Sequence, residues 1–205
     1  MATYSAIAHN FTPPSATTSA QVGTGAMTLI KTITASDSSD ISFVHGSSDV
    51  VFDSTYKTYL FKFINLHLSS DTYVSLLGRD GGSNFDATKT STYFRVEHKE
   101  DGSSTGFTYK TNLDVAQATG ETKLSGNTSD DNDNAISGHL YVFSPSSTTF
   151  VKHYFGQINV ISGADALEAG FFAGYFNHTA ALDGIKIAVG TGNIASGTIK
   201  MYGIA

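Results

Sequence analysis

The densest set of oxygen ligands in the chain is Asp130-Asp131-Asn132-Asp133-Asn134. The spacing of Asp130, Asn132 and Asn134 copies the first half of a calcium loop, in which alternate short oxygen side chains converge on one hard cation. The second half departs from that pattern: the sixth position is Ala135 where a glycine turns the loop, and the twelfth is Tyr141 where a bidentate glutamate closes it. A solvated acidic turn and a nonstandard Ca²⁺ site are the two readings, and no other cofactor is indicated. Gly102-Ser103-Ser104-Thr105-Gly106 matches the G-x-S-x-G elbow of serine hydrolases. That elbow needs a strand before it and a helix after it, whereas Phe107-Thr108-Tyr109 reads as a second strand, so a hairpin turn is expected.

The remaining polar groups form no set with catalytic spacing. The seven histidines, His9, His45, His67, His98, His139, His153 and His178, include no helical i,i+4 pair and no H-E-x-x-H, the arrangements that place two imidazoles on one metal. His67 and His153 both fall in strand-like runs and could meet in space. Glu97, Glu100, Asp101, Glu121 and Glu168 could supply a pair of carboxylates for glycoside cleavage, a chemistry that depends on their separation and on one raised pKa. Nothing in the sequence picks a pair out, so no catalytic residue is assigned and the chain is read as noncatalytic. The 10 Tyr and 14 Phe exceed what one core of this size holds; the surplus suits a subunit interface or a sugar-stacking surface, where a flat ring with a polar tip works well.

Composition narrows the classes further. Charged residues make up 15% of the 205, with 12 Lys and Arg against 18 Asp and Glu for a net charge of −6, which gives no basic surface for phosphate neutralisation and argues against nucleic acid as a partner. The absence of cysteine removes disulfides, thiolate nucleophiles and Cys-based zinc sites together. No window reaches the roughly 18 apolar residues of a membrane span, and Met1 to Asn10 lacks the basic and apolar regions of a signal peptide. A protein made in the cytoplasm without membrane insertion is expected.

These side chains must be positioned by strands. From Ala26 onward, short runs of Val, Ile, Thr, Phe and Tyr alternate with Gly-, Asn- and Ser-rich turns, the signature of an all-β antiparallel sandwich or jelly roll. Strands are expected at Met27–Thr34, Ile41–His45, Lys57–Leu68, Thr72–Leu77, Ser91–His98, Gly106–Thr111, Gly138–Phe143, Thr149–Ile161, Ile185–Gly190 and Thr198–Tyr202. Within the longest apolar run, Tyr59, Phe61 and Phe63 fall on one face and Leu60, Ile64 and Leu66 on the other, so it reads as a central strand covered on both sides. Ala164–Ala169 and Phe176–Leu182 could each hold one helical turn, and Thr111 to Ser137 reads as a long polar loop at one end of the sandwich. Residues 1–25 read as an extended N-terminal arm: Pro13 and Pro14 block helix and ladder alike, and Tyr4, Ile7 and Phe11 could anchor the arm on a neighbouring subunit. Residues 26–205 then form a single domain.

Two stretches carry a family likeness, and two more are consistent with it. Asn193-Ile194-Ala195-Ser196-Gly197-Thr198-Ile199-Lys200-Met201-Tyr202-Gly203-Ile204 resembles the Asn-Ile-x-Ser-Gly-x-Ile/Leu-x-Leu-Tyr-Gly-Ile ending of small virion proteins of tailed bacteriophages. Asp53 to Asn65 resembles an Asp-x-x-Tyr-x-x-Tyr-x-Phe-x-Phe-x-Asn segment of marine-phage virion and tail-fibre proteins. Ser91 to Arg95 and Leu182 to Ile187 are consistent with both. The resemblance implies a β-sandwich structural protein of the virion, homo-oligomeric and trimeric when part of a fibre, made in the host cytoplasm. Its partners would be other virion proteins and, at a fibre or spike tip, a host surface glycan or protein. A head decoration protein that grips the capsid through its arm is the alternative, and a carbohydrate-binding or carbohydrate-active jelly roll is a remoter one. The resemblance carries no catalytic residue, and the chain lacks the heptads of a fibre shaft.

Overall fold

The computed structural model describes residues 27–205, so the arm residues Tyr4, Ile7, Phe11, Pro13 and Pro14 lie outside the described residues. Twelve strands follow one another: β1 (Met27–Thr34), β2 (Asp40–Val44), β3 (Thr58–Leu68), β4 (Val74–Arg79), β5 (Lys89–Lys99), β6 (Thr105–Tyr109), β7 (Thr122–Lys123), β8 (Ile136–Phe143), β9 (Lys152–Ser162), β10 (Ala166–Phe176), β11 (Gly184–Val189) and β12 (Ile194–Ile204). They form an eight-stranded sheet of order β1-β12-β3-β8-β9-β10-β5-β6 and a four-stranded sheet of order β2-β11-β4-β7, and every pairing between strands is antiparallel. The expected all-β sandwich is what forms.

The order identifies the sandwich as a jelly roll. Eight strands wrap as nested antiparallel pairs, β1 with β12, β2 with β11, β3 with β8 and β4 with β7. The outer and inner pairs join as β1-β12-β3-β8 in one sheet and β2-β11-β4-β7 in the other, the double-sheet arrangement of a jelly roll. Two additions, β5–β6 between β4 and β7 and β9–β10 between β8 and β11, extend only the first sheet. One sheet is therefore twice as wide as the other.

The core lies between the sheets. Phe43, Phe61, Phe63, Leu66, Leu76, Ile187, Ile199 and Met201 are all at or below 3% exposure, and Phe43 packs edge-on against Phe61 across the layer at 5.2 Å. Leu66 belongs to this inner set and not, as the alternation predicts, to the face of Leu60 and Ile64. The reason is a bulge. Asn65 adopts a left-handed conformation (φ 49°), the pairing with both neighbours slips there, and one extra residue reverses the face of everything after it. The bulge is held by Ser137, whose Oγ accepts from the Asn65 N–H (3.1 Å) and whose hydroxyl donates to Asn65 Oδ1 (3.2 Å).

Three other expectations are corrected. No helical turn forms at Ala164–Ala169 or Phe176–Leu182; Ala166–Phe176 is the eleven-residue strand β10. It is committed to the sheet by interlocking aromatics: Tyr93 lies over Gly170, Tyr154 over Gly174 and Phe172 over Gly156. A Cβ on Gly174 would sit 2.5 Å from Tyr154 Cζ and one on Gly156 2.6 Å from Phe172 Cζ, so the rings occupy the space that any other residue would fill. The segment Thr111–Ser137 is also more than an end loop. It contributes β7 to the narrow sheet, buries Leu113 and Leu124, and exchanges backbone hydrogen bonds with β5 at Lys89 and Ala118. In this way it covers part of the inner surface of the wide sheet that the narrow sheet does not reach. The strand expected from Thr149 begins at Lys152, because Thr149 and Phe150 both donate their N–H groups to Ser147 Oγ in a turn.

Candidate functional site

The wide sheet has an outer face with nothing packed on it among the described residues. Its inner positions are filled by the core, so alternation along each strand delivers the other set to solvent. Among the described residues ten large hydrophobic side chains are exposed, and nine of them, Met27, Leu29, Ile64, Phe94, Val96, Phe107, Tyr109, Phe155 and Leu167, stand on this one face. The tenth, Phe150, is in a loop. Scattered exposed apolar residues are ordinary; their collection on one face makes it a candidate interaction surface.

Register sets these residues in rows that run across the strands. One row passes from Ala173 through Phe155, Tyr141 and Leu60 to Tyr202. Tyr141 and Phe155 are stacked with centroids 5.3 Å apart and planes at 29°, and Phe143 stacks on Phe155 at 5.6 Å. The neighbouring row is polar where the first is aromatic: Gln157, His139, Lys62 and Lys200 lie side by side. Further along the same row Phe171 stacks on Phe94 at 5.0 Å and 12°. Because Ala173 is small, the end of the aromatic row opens into a depression of about 340 Å³ walled by Phe155, Tyr175, His153 and Thr92.

The charge pattern on this face is one-sided. The outward positions of the eight strands hold no Asp or Glu, and their two full charges are Lys62 and Lys200. Of the 18 acidic residues, only Asp40, Glu97 and Glu168 belong to strands, and Glu97 and Glu168 point inward. Asp114, in the loop after β6, is taken up by the Tyr109 hydroxyl at 2.5 Å. Lys62 and Lys200 are direct cross-strand neighbours, a placement of like charges that is destabilising. Lys62 Nζ sits 5.9 Å from the Tyr202 ring, and burial together with Lys62 holds the His139 imidazolium below its usual pKa.

The acids left unassigned in the sequence do form one cluster. Glu97 and Glu168 face each other across β5 and β10, and Arg95 joins them, Nη2 to Glu97 at 2.6 Å and Nη1 to Glu168 at 2.5 Å. Burial raises the Glu168 carboxyl and the Arg95 charge opposes that shift. The Gly126 backbone closes over the site, since a Cβ there would lie 2.6 Å from Glu168 Oε2. A paired, covered carboxylate of this kind is an internal brace. Two lysines do the same for loops: Lys89 Nζ donates to the carbonyls of Thr119 and Gly120, and Lys152 Nζ to those of His178 and Ala180.

The sequence candidates fall elsewhere. Asp130, Asn132 and Asn134 lie between β7 and β8; the Asp130 N–H donates to Asp71 Oδ1, Ser129 Oγ to Asp131 Oδ2, and the Asn134 carbonyl pairs with the His67 ring, and none of these bonds uses the side-chain oxygens of the three. Among the described residues no three His, Asp or Glu side chains gather as a metal site. His67 and His153 do not meet, the second packing beside Tyr175 at 5.9 Å. Gly102–Gly106 is the expected turn, from which β6 pairs back onto β5. What sequence reasoning missed was the face itself. Its signal is the alternation of Leu167, Ala169, Phe171, Ala173 and Tyr175 in β10, legible only once that segment is a strand. Comparison with known proteins finds no matching family model, no matching curated protein and no matching solved structure.

Proposed function

We propose that this chain is a noncatalytic structural protein of a bacteriophage virion, assembled as a homo-oligomer, favoured as a trimer, that presents the outer face of its wide sheet to a glycan on the host surface. The observation that carries the reading is that face, which holds outward Phe or Tyr rings on six of its eight strands and no outward strand carboxylate, in a protein whose net charge is −6. A jelly roll is an architecture used by viral coats and by sugar-binding domains alike, which is support by analogy of fold. The phage-like stretches now occupy its structural seams, Asp53 to Asn65 leading into β3 and Asn193 to Ile204 forming β12. Repetition of the face in an oligomer multiplies weak single contacts into useful avidity. The residues proposed to hold the copies together are the arm anchors Tyr4, Ile7 and Phe11 with Pro13 and Pro14.

Immunogold labelling of purified particles, combined with competition of phage adsorption by the purified protein, tests this. Label on the particle and saturable inhibition of adsorption are expected. Absence of the chain from purified particles refutes the reading, and label confined to the head without inhibition supports the decoration alternative instead.

A further inference from the structure

We propose that the glycan is an acidic polysaccharide, and that it lies across the strands along the row Phe155, Tyr141 and Tyr202, with its carboxylates or sulfates over Lys62 and Lys200. The inference rests on the attachment reading above and assigns its ligand class and its path. Four adjacent strands, β9, β8, β3 and β12, carry the row, and three interstrand steps of about 4.8 Å give a track of about 14 Å. The Phe155 ring stacks on Tyr141 on one side and on the other borders the depression over Ala173, where its open face can take the apolar face of one sugar; Tyr202 stands two strands from Tyr141, beyond the buried Leu60. Gln157 and His139 beside them supply neutral hydrogen-bonding groups, and the depression over Ala173 gives the chain a place to begin or branch.

Charge selects this occupant over others. Lys62 and Lys200 face each other with no ion pair to either among the described residues, so an anion that bridges them relieves a repulsion built into the sheet. A second copy laid face to face would bring the same lysines together and no outward strand carboxylate to meet them. Residues 1–26 contain no acidic residue and would leave both charges uncompensated. A nucleic-acid strand needs a longer run of phosphate neutralisation than two lysines provide.

The test is affinity electrophoresis and calorimetry of the full-length protein with polygalacturonate oligomers, neutral dextran and oligo-dT as probes. Retention by polygalacturonate, at least tenfold weaker for dextran and oligo-dT and falling with added NaCl, is expected. Lys62→Gln with Lys200→Gln should weaken polygalacturonate binding at least tenfold and flatten its salt dependence. Phe155→Ala should abolish binding with the thermal midpoint preserved, since its ring is half-exposed; Tyr141→Leu serves as a second variant. Equal binding to dextran, tighter binding to oligo-dT, or indifference to the lysine substitutions overturns the inference. Labelled virions and blocked adsorption without polygalacturonate retention overturn it too while leaving the attachment reading in place; unlabelled virions overturn the attachment reading itself.

Discussion

Replacing Gly170 by alanine places a methyl group against Tyr93: all three atoms nearest the added Cβ belong to that side chain, with Cζ at 2.6 Å and the hydroxyl closer still. Tyr93 is 1% exposed and cannot swing into solvent. Overpacking of a filled interior costs about 1–3 kcal/mol, and the lower backbone freedom of alanine in the unfolded chain returns about 0.5–1 kcal/mol. Gly170→Ala is therefore expected to lose about 1–2 kcal/mol, a fall of roughly 2–8 °C in thermal midpoint for a chain of this size. Tyr93→Leu alone loses more, since it opens a cavity. In that background the alanine has room, and Gly170→Ala should become neutral or stabilising by up to about 1 kcal/mol. The two substitutions are then coupled by about 1–3 kcal/mol, a size that contacting residues reach. Urea unfolding of the four proteins, with an unchanged m-value as the control for a constant denatured state, reads this directly. Equal cost of Gly170→Ala in both backgrounds refutes the interlocking of β5 and β10 through this pair.

The bulge makes a conformational prediction: Asn65→Gly should be near neutral, while Asn65→Val, a β-branched residue forced to a positive φ, should cost about 1–3 kcal/mol by urea midpoint. For Glu168 the folded pKa is raised by burial, so the folded state holds its proton more tightly and stability falls as pH rises from the ordinary carboxylate range through the folded value. Glu168→Gln should remove that component, visible as a flatter pH dependence of the urea midpoint than wild type above about pH 4.5. Burial pushes the phenols of Tyr59, Tyr93 and Tyr154 up to about 12; their stabilising contribution is complete below the usual phenol value and is lost as pH climbs toward 12. Spectrophotometric titration should show these three ionising only together with unfolding, and full ionisation of a folded protein contradicts it. Chelator should leave the thermal midpoint unmoved, because among the described residues no three His, Asp or Glu side chains gather around Asp130, Asn132 and Asn134; a clear shift would support the calcium reading.

Legibility followed the range of the forces involved. Met27–Thr34 was readable to the residue, and the Gly102–Gly106 hairpin from its turn chemistry, because local alternation and glycine placement decide both. Strand β10 was not readable: Ala166, Leu167, Glu168 and Ala169 are good helix formers, and what overrides them is the fit of Tyr93, Tyr154 and Phe172 into glycines on neighbouring strands. The Leu66 reversal depends on one left-handed residue braced by Ser137, 72 positions away. The candidate face was invisible for a third reason. Its aromatics are plain in the sequence, but their collection on one side and the exclusion of carboxylates exist only after eight strands, five of their seven neighbour contacts made across a long loop or out of chain order, are laid in register.

Strand β12 lies inside the wide sheet, hydrogen-bonded to β1 on one side and β3 on the other. The seam between the first and third strands thus waits for residues 194–204 to be synthesised, and a nascent chain halted before Ile194 leaves both with open edges. Closing the seam joins segments separated by most of the chain, a slow, loop-entropy-limited event. A chain lacking residues 194–204 would leave the β1 and β3 edges unpaired and would lose Lys200 and Tyr202 from the outer face.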